Sequence, residues 1–296
     1  MSFNVVVEDD VELKRIELLS NERKYLQSIG DVPEWYTTQS WQMFKEKVAV
    51  PQEDGSHKFE NRLNIAKSIV QSIADNIYET LYHYFRHDKK DLKPTLDWLK
   101  TEPKKFLEKE ITIEQIMFIE GQIWSRFYDS FKYFLPEDFL MNKRVKRPPN
   151  NPMNALVSFG NTLLYTKTIS AIYTTHLNQA ISFLHSPREG RFSLCLDISE
   201  AFKPVIVFKT IFDLVGRKQL QVEKHFDKSL NYALLNEEGK KIFIDAFETR
   251  INETFMHPKL KRKITYKHCL KLEGYKLIKY IVEKKEFVPF RLKDKM

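Results

Sequence analysis

The sequence predicts a mainly α-helical protein, with a large all-helical domain over residues 58–296 and a small α+β segment over residues 1–57. Three observations support this fold class. Apolar residues recur every three or four positions through most of the chain after residue 60. A β-branched run near the start, FNVVVEDDVELKRIELL, predicts one or two short strands. No internal repeat is visible, and 296 residues suffice for a sizeable core in one domain or two.

Two helices and a linker are predicted before residue 90. WYTTQSWQMFKEKV predicts a helix over about residues 35–47. VPQEDGSH, with its Pro, Asp and Gly, is typical of a turn or linker. From Glu60 a regular helical spacing of apolar residues continues to the charged cluster at 86–90. Its members are Leu63, Ala66, Val70, Ile73, Ile77, Leu81 and Tyr84.

The next helix carries an acidic residue on its apolar face. In ITIEQIMFIEGQIWSRFYDSF, Glu120 lies one turn from Met117 and from Trp124. A carboxylate on such a face must be paired, protonated or bound to a cation, because burying it bare costs several kcal/mol. Glu120 is therefore a candidate functional residue. The apolar stripe comprises Ile113, Ile116, Met117, Ile123, Trp124, Phe127 and Phe131.

A proline-rich break, NKRVKRPPNNP, separates this helix from the next. Pro148 and Pro149 cannot continue a helix. Asn150 and Asn151 are suitable N-caps for a new one, with Pro152 in its first turn. The break therefore ends one helical region and starts another.

The remainder of the chain is predicted to be helical. Residues 155–185 predict two or three helices, followed by a loop at 187–190 that contains Pro and Gly. A further helix is predicted over residues 193–216, and Pro204 should kink or divide it. The C-terminal third predicts more amphipathic helices, ending with HCLKLEGYKLIKYIVEKKE.

The charge of the chain is unevenly distributed. The formal net charge is +8, but residues 1–57 contain 11 acidic and 6 basic residues. Residues 58–296 contain 42 basic and 29 acidic residues, a balance of +13. A field of this sign attracts polyanions such as nucleic acid, with binding that salt weakens. An ordinary lysine-rich surface explains the charge equally well.

Composition excludes several classes of protein. Two cysteines, Cys195 and Cys269, rule out a disulfide framework and a cysteine zinc cluster. A signal peptide and an 18-residue apolar run are missing from the sequence, so a cytoplasmic protein without membrane contact is expected. Neither G-x-x-x-x-G-K-[ST] nor G-x-G-x-x-G is present, which disfavours a nucleotide-driven motor or a dinucleotide enzyme.

Three further residues could act with Glu120. His185 lies in FLHSPREGR, and Asp197 and Glu200 share one helical face in SLCLDISEAFKP. Carboxylates with an imidazole suit Mg²⁺ or Mn²⁺, and such a site can bridge and polarise a phosphodiester. From spacing alone, a structural histidine and a solvated acid pair stay open as alternatives.

The central part of the chain resembles a known family. PPNNPMNALVSFGNTLLYTKTISAIYTTHLNQAISFLHSPREGRFSLCLDISEAFKPVIVFKTIFDLVGRKQL is similar to the CRISPR-associated DNA integrase, the larger subunit of the spacer-acquisition machinery. ENRLNIAKSIV resembles the opening helix of the family's catalytic domain, and EGQIWSRFY resembles its first acidic motif. YKLIKYIVEKKEFVPF is similar to its C-terminal ending. The resemblance covers residues 59–296 in the family's order.

The resemblance implies a divalent-metal-dependent integrase and endonuclease. The family's metal ligands fall on Glu120, His185 and Glu200, and Asp197 matches a further acidic position among the catalytic residues. The implied reaction is transesterification: each 3′-hydroxyl of a short DNA fragment attacks a phosphodiester of repeat DNA. Related cleavage and disintegration of branched DNA are also implied. The cofactor would be Mn²⁺ or Mg²⁺, with no organic cofactor.

The chain departs from the family in several places, including the loop before His185 and the N-terminal segment. Where the family has T-G-L-N-P-A-I-G-F-x-H, this chain reads T-H-L-N-Q-A-I-S-F-L-H, with His176, Gln179 and Ser182 as the replacements. Residues 1–57 resemble a reduced or replaced form of the family's β-rich N-terminal domain. A homodimer or higher oligomer is implied, and a need for the small companion protein, Cas two, stays open.

Basic residues beside the predicted site are candidates for contact with DNA phosphates. Some lie in the proline-rich break, some flank the candidate histidine, and others form a cluster near residue 260. A solvated surface is the alternative for each cluster. The candidates are Lys143, Arg144, Lys146, Arg147, Arg188, Arg191, Lys203, Lys259, Lys261 and Arg262.

The sequence leaves two other functions open. One is a casposase-like transposase of mobile elements, and the other is a non-catalytic DNA-binding scaffold of the adaptation complex. The joint presence of Glu120, His185 and Glu200 favours an enzyme over the scaffold.

Overall fold

The structure of the protein, a computed structural model, describes residues 60–292 except 110, 142, 147, 176, 187–190, 229–232, 258 and 284. The strands and the 35–47 helix predicted for the N-terminal segment therefore lie outside the described residues, as does its linker.

The mainly helical fold class is confirmed. The α-helices are α1 (Glu60–Arg86), α2 (Lys93–Leu107), α3 (Ile113–Asp129), α4 (Pro152–Tyr173), α5 (Ser193–Glu200), α6 (Lys209–Gly216), α7 (Val222–His225), α8 (Glu237–Asn252) and α9 (Tyr266–Glu283). Short 3₁₀ helices span Lys90–Leu92, Ser130–Tyr133 and Glu137–Phe139, and a π-helix spans Pro204–Phe208.

Residues 58–296 are not all-helical, because they contain two antiparallel hairpins that the sequence reading missed. In the first hairpin, β1 (Phe226–Lys228) pairs with β2 (Ala233–Leu235). In the second, β3 (Thr254–His257) pairs with β4 (Arg262–Thr265). Strands of three and four residues are too short to show a clear alternation in the sequence.

The chain divides into two compact units. Of the described residues, the first unit comprises residues 60–69, Lys167–Ser199 and His268–Pro289. The second comprises Val70–Thr166, Glu200–Lys267 and residues 290–292. Among the described residues, no helix is both long and apolar enough to cross a membrane.

An aromatic cluster forms part of the core of the second unit. The rings of Phe127 and Phe208 lie 4.8 Å apart, and those of Phe131 and Phe212 lie 5.1 Å apart. All four side chains are buried, and their near edge-to-face geometry is favourable for aromatic pairs. This cluster fixes the core-facing side of α3, the helix that carries Glu120.

Helix α3 begins and packs largely as its sequence predicts. Thr112 and Gln115 form a reciprocal capping box at its start, which satisfies backbone N–H groups that a helix end leaves unpaired. Ile116, Ile123 and the aromatic residues of the stripe are buried. Met117, which also belongs to the apolar stripe, is 41% exposed, so the stripe extends beyond the buried face of the helix.

Helix α4 is one continuous helix from residue 152 to residue 173. The side chain of Asn151 caps it by accepting a hydrogen bond from the backbone N–H of Asn154 at 2.8 Å, as predicted. The prediction of two or three helices over 155–185 is wrong. Residues 177–186 are buried for the most part but irregular, because backbone N–H groups there bond to Asp197 instead of to a helical carbonyl.

Pro204 divides the predicted 193–216 helix, as expected. Proline lacks a backbone N–H, and the chain passes from α5 through a turn into the π-helix before α6 begins. The Phe208 N–H bonds to the Lys203 carbonyl at 3.0 Å, a five-residue step typical of π-helices.

Gly160 in α4 allows a close approach that a larger residue would obstruct. A Cβ atom there would lie 2.6 Å from Val207 Cγ1 and 2.9 Å from the Phe243 ring. We expect Gly160→Ala to lower the free energy of unfolding by about 1–3 kcal/mol, because overpacking outweighs the helix propensity of alanine. Urea denaturation measures this. Gly216→Ala is the control, since a Cβ there meets nothing within 4 Å, and equal stabilities of the two variants would contradict the expectation.

Candidate active site

In the first unit, Asp197 holds His185 and the loop that carries it. Asp197 on α5 is fully buried. Its Oδ2 accepts the backbone N–H groups of Phe183 and Leu184 at 2.6 and 2.9 Å. Its Oδ1 accepts the His185 N–H at 3.1 Å and lies 2.8 Å from His185 Nδ1. With Nδ1–H donating to this carboxylate, the imidazole presents the Nε2 lone pair.

Two residues that differ from the family's pattern, Gln179 and Ser182, hold the loop before His185 in place by hydrogen bonds. Gln179 Nε2 donates to the Ile169 carbonyl at 2.6 Å, and Ser182 Oγ donates to the His185 carbonyl at 2.5 Å. Both side chains are buried. These contacts give the two replacements a structural role, and His176 lies outside the described residues.

In the second unit, Glu120 is half-buried on α3 and paired with Trp124. The indole Nε1–H donates to Glu120 Oε1 at 2.7 Å. The two residues are one helical turn apart, so the same face presents both. Trp124 is only 8% exposed, which agrees with its predicted packing role. Its indole N–H also orients the Glu120 carboxylate.

Glu200, also in the second unit, has a buried carboxylate whose two oxygens differ in their hydrogen bonding. Its side chain is 5% exposed, and Oε1 accepts a hydrogen bond from the Lys203 ammonium group. Oε2 is buried and has no hydrogen-bond partner within the part of the chain that the structure describes. An unsatisfied buried carboxylate oxygen is costly, so Oε2 is a candidate ligand atom for a bound cation.

Tyr128 lies next to Trp124, and the sequence analysis did not identify it. Its ring stacks on Trp124 at a centroid distance of 5.8 Å. Burial raises the pKa of its hydroxyl; Arg144 opposes the rise, while Glu200 and Glu120 add to it. Tyr128 follows Glu120 by two helical turns, so its position on the Glu120 stripe was the signal that could have identified it.

No three His, Cys, Asp or Glu side chains of residues 60–292, masked positions aside, are grouped closely enough to hold a metal ion. The structure thus brings Asp197 together with His185 in one unit. In the other unit, Glu200 and Glu120 each add to the rise in the pKa of Tyr128.

The predicted DNA contacts differ in exposure. Arg147 and Arg188 lie outside the described residues. Lys203 pairs with Glu200 and lies 5.9 Å from the centre of the Trp124 ring. The exposed candidates are Lys143, Lys146, Lys259, Lys261 and Arg262.

Arg144 is engaged inside the protein. Its Nη2 donates to Ser158 Oγ at 2.9 Å, and its Nη1 donates to Val145 O at 2.6 Å and to Asn154 Oδ1 at 3.0 Å. Burial lowers its pKa. These bonds fasten the proline-rich connection to α4 and argue against the DNA contact that the sequence predicts for this residue.

Arg191 is also used structurally. It is half-buried, and its guanidinium donates to Ser193 Oγ at 3.1 Å and to the Ser186 carbonyl at 2.5 Å. Arg191 therefore links Ser186, the residue after His185, to Ser193, the first residue of α5.

Solved structures define the class of this fold. A CAS1 protein from Thermotoga maritima superposes with a TM-score of 0.66 at 36% identity, covering 77% of this chain and 68% of that one. A chain of a partial Cas6-RT-Cas1–Cas2 complex superposes with a TM-score of 0.69 at 22% identity, covering 78% of this chain and 69% of that one, and shows the fold alone. The class is the helical fold of CAS1 proteins.

Sequence comparison identifies the family. The family model described as "CRISPR associated protein Cas1" matches residues 34–249. The CRISPR-associated endonuclease Cas1 of Fusobacterium nucleatum is 40% identical over 233 residues, which is 79% of this chain and 68% of that protein. The chain belongs to the Cas1 family of CRISPR-associated proteins, as its motifs predicted.

Proposed function

We propose that this chain is a divalent-metal-dependent DNA integrase and endonuclease of CRISPR adaptation. It would join the 3′-hydroxyls of a short DNA fragment to phosphodiesters of a repeat, with related cleavage of DNA. Family membership supports the broad activity. The observation that carries the metal dependence is the buried, unpartnered Oε2 of Glu200, which a cation would satisfy.

The donor set fits a hard divalent cation. By family resemblance, Glu120, Glu200 and His185 are the proposed ligands of Mn²⁺ or Mg²⁺, since both ions prefer carboxylate oxygens and an imidazole shifts the preference towards manganese. When bound, the cation supplies Lewis-acid polarisation of a phosphodiester and neutralises its charge. Asp197, which the resemblance implies to be catalytic, instead acts by positioning, because its carboxylate accepts hydrogen bonds from His185 and from the backbone of the loop before it.

The side chains around the candidate ligands hold them in place. Asp197 fixes the tautomer and orientation of the imidazole, as carboxylates do for metal-binding histidines. Trp124 orients Glu120 through its indole N–H. Lys203 balances the charge of Glu200 and supplies a cation that could contact a phosphate.

The proposed reaction balances without an energy source. The 3′-oxygen of the fragment forms a bond to a phosphorus of the repeat, and the bond from that phosphorus to its original 3′-oxygen breaks. The proton lost by the attacking hydroxyl is replaced on the leaving oxygen by exchange with water. One phosphodiester replaces another, so no nucleotide is needed, which agrees with the missing phosphate-binding motifs.

The proposed partners are double-stranded and branched DNA, including repeat DNA. Exposed Lys143 and Lys146 are candidates for phosphate contacts beside α4. Assembly as a homodimer or higher oligomer, and with the small Cas two protein, is part of the proposal. The fold shared with a chain of a Cas1–Cas2 complex supports it.

One assay tests this function. Purified protein is incubated with a short duplex that has free 3′ ends and a plasmid that carries a repeat. We expect strand-transfer products with Mn²⁺ or Mg²⁺ and none when a chelator is present. Products that persist in chelator would overturn the metal dependence. If products are absent with either metal, with and without Cas two, the integrase proposal is overturned.

A further inference from the structure

The hairpin formed by β3 and β4 is anchored to the second unit along one face. Phe255 and Ile264 are directly opposite each other. The Phe255 ring lies 5.2 Å from that of Tyr266 and 6.1 Å from that of Phe290, and Ile264 is buried. The hairpin is therefore a fixed part of the unit.

Its other face and its tip are exposed and combine apolar with basic side chains. Met256 lies opposite Lys263, and both are exposed. At the tip, Leu260 stands between Lys259 and Lys261 in the chain, and all three are exposed. Met256 is 50% exposed and Leu260 42%, which places them among the large apolar residues most open to solvent in the described chain.

The positive charge of this hairpin is uncompensated. Residues 254–267 contain five basic and no acidic residues. Four of the basic side chains are exposed and form no ion pair with any residue that the structure describes: Lys259, Lys261, Arg262 and Lys263. By contrast, surface lysines such as Lys93, Lys105 and Lys240 pair with acids three or four residues away.

The conformation of the tip is set by its own hydrogen bonds. The Lys261 N–H donates to the His257 carbonyl at 2.9 Å, and the Leu260 N–H donates to His257 Nδ1 at 3.1 Å. Lys261 has a φ of 51°, a left-handed conformation that closes the turn. A pre-formed tip loses little conformational entropy on binding.

We propose that this hairpin is a second DNA-binding element, which enters the major groove of a duplex and contacts its phosphates. The inference rests on the proposed function only in taking DNA as the partner. A two-stranded β-ribbon fits the major groove, lysines on both edges can reach phosphates, and apolar side chains can contact thymine methyl groups there. Lys259, Lys261 and Lys263 would hold phosphates, and Leu260 and Met256 would face the bases.

A protein partner fits the tip less well. Stable protein interfaces bury about 800 Å² on each side, whereas the exposed apolar surface here comes from two aliphatic side chains surrounded by cations. Such a surface is typical of nucleic-acid contacts, which are polar and positively charged.

The test compares two triple variants that lose the same charge. In K259Q/K261Q/K263Q we expect binding to a short duplex to weaken about 10-fold or more at about 0.1 M salt, and the salt slope to fall by about 3. The control K100Q/K104Q/K105Q changes exposed lysines of α2, and its affinity and slope should stay near those of the wild type. Fluorescence anisotropy gives both quantities, and circular dichroism verifies folding.

The apolar tip is tested separately. The double variant L260A/M256A should bind several-fold more weakly with an unchanged salt slope, because no phosphate contact is removed. Methyl green, a major-groove ligand, should compete with the wild-type protein, and distamycin, a minor-groove ligand, should not. Competition by distamycin alone would overturn the groove assignment.

All binding is measured in chelator, where the proposed chemistry does not run. A hairpin variant that matches the α2 control in affinity and slope would overturn the inference. That result would leave the integrase proposal standing. Conversely, failure of strand transfer in the wild type would not alter the binding comparison.

Discussion

Glu120→Gln should reduce strand transfer by about 1000-fold or more, the equivalent of about 4 kcal/mol of lost transition-state stabilisation. An amide is neutral and a poor ligand for Mg²⁺ or Mn²⁺, so the substitution removes the proposed metal donor. It retains a carbonyl oxygen that can accept the 2.7 Å hydrogen bond from Trp124. The protein should therefore stay folded while its activity is lost.

Asp129→Asn is the matched control for this prediction. Asp129 is an exposed acid at the end of the same helix, and its loss should leave activity unchanged. Rates are measured with saturating Mn²⁺, and thermal melting of both variants reports on folding. Near-normal strand transfer by Glu120→Gln would remove this residue from the chemistry. An equal loss of strand transfer in Asp129→Asn would show that activity depends on the negative charge of α3 and not on Glu120 as a metal ligand.

Asp197→Ala should have the largest effect on stability, lowering the free energy of unfolding by about 3–5 kcal/mol. The fully buried carboxylate accepts three backbone N–H groups and the imidazole Nδ1–H. Its removal leaves all four without an acceptor. Asp245→Ala, at an exposed position of α8, should change stability by about 0.5 kcal/mol or less. Urea denaturation provides both values.

The positioning role of Asp197 has a separate readout. Nitrogen NMR of labelled His185 should show the Nδ1–H tautomer in the wild-type protein and a loss of that preference in Asp197→Asn, whose amide cannot accept from every donor. Strand transfer by Asp197→Asn, measured where it remains folded, should fall about 10–100-fold. An unchanged tautomer would reduce Asp197 to a purely structural residue.

Local patterns predicted the helices well. The spacing around Glu120 is periodic over more than four turns, and Asn151 is followed directly by Pro152, so both α3 and the start of α4 were predicted from neighbouring residues alone. The family was also evident from ordered motifs and is confirmed.

Features that depend on distant residues were not predictable. Asp197 and Glu200 looked like a matched acid pair, but one bonds to a loop 12 to 14 residues earlier and the other to Lys203. Arg144 looked like a DNA contact because Asn154, its buried partner, is an ordinary polar residue in the sequence. Tertiary contacts, not local preference, decide such roles.

The π-helix at Pro204–Phe208 makes the chain sensitive to length at this point. A wide turn takes up one more residue than an α-helical turn, so it offsets every later side chain by about 100°. That offset helps to direct Phe208 and Phe212 to Phe127 and Phe131. Deleting a single residue here would favour a regular helix and rotate both rings out of the aromatic cluster that supports α3. Homologues of different length should therefore differ in loops and keep this segment without gaps.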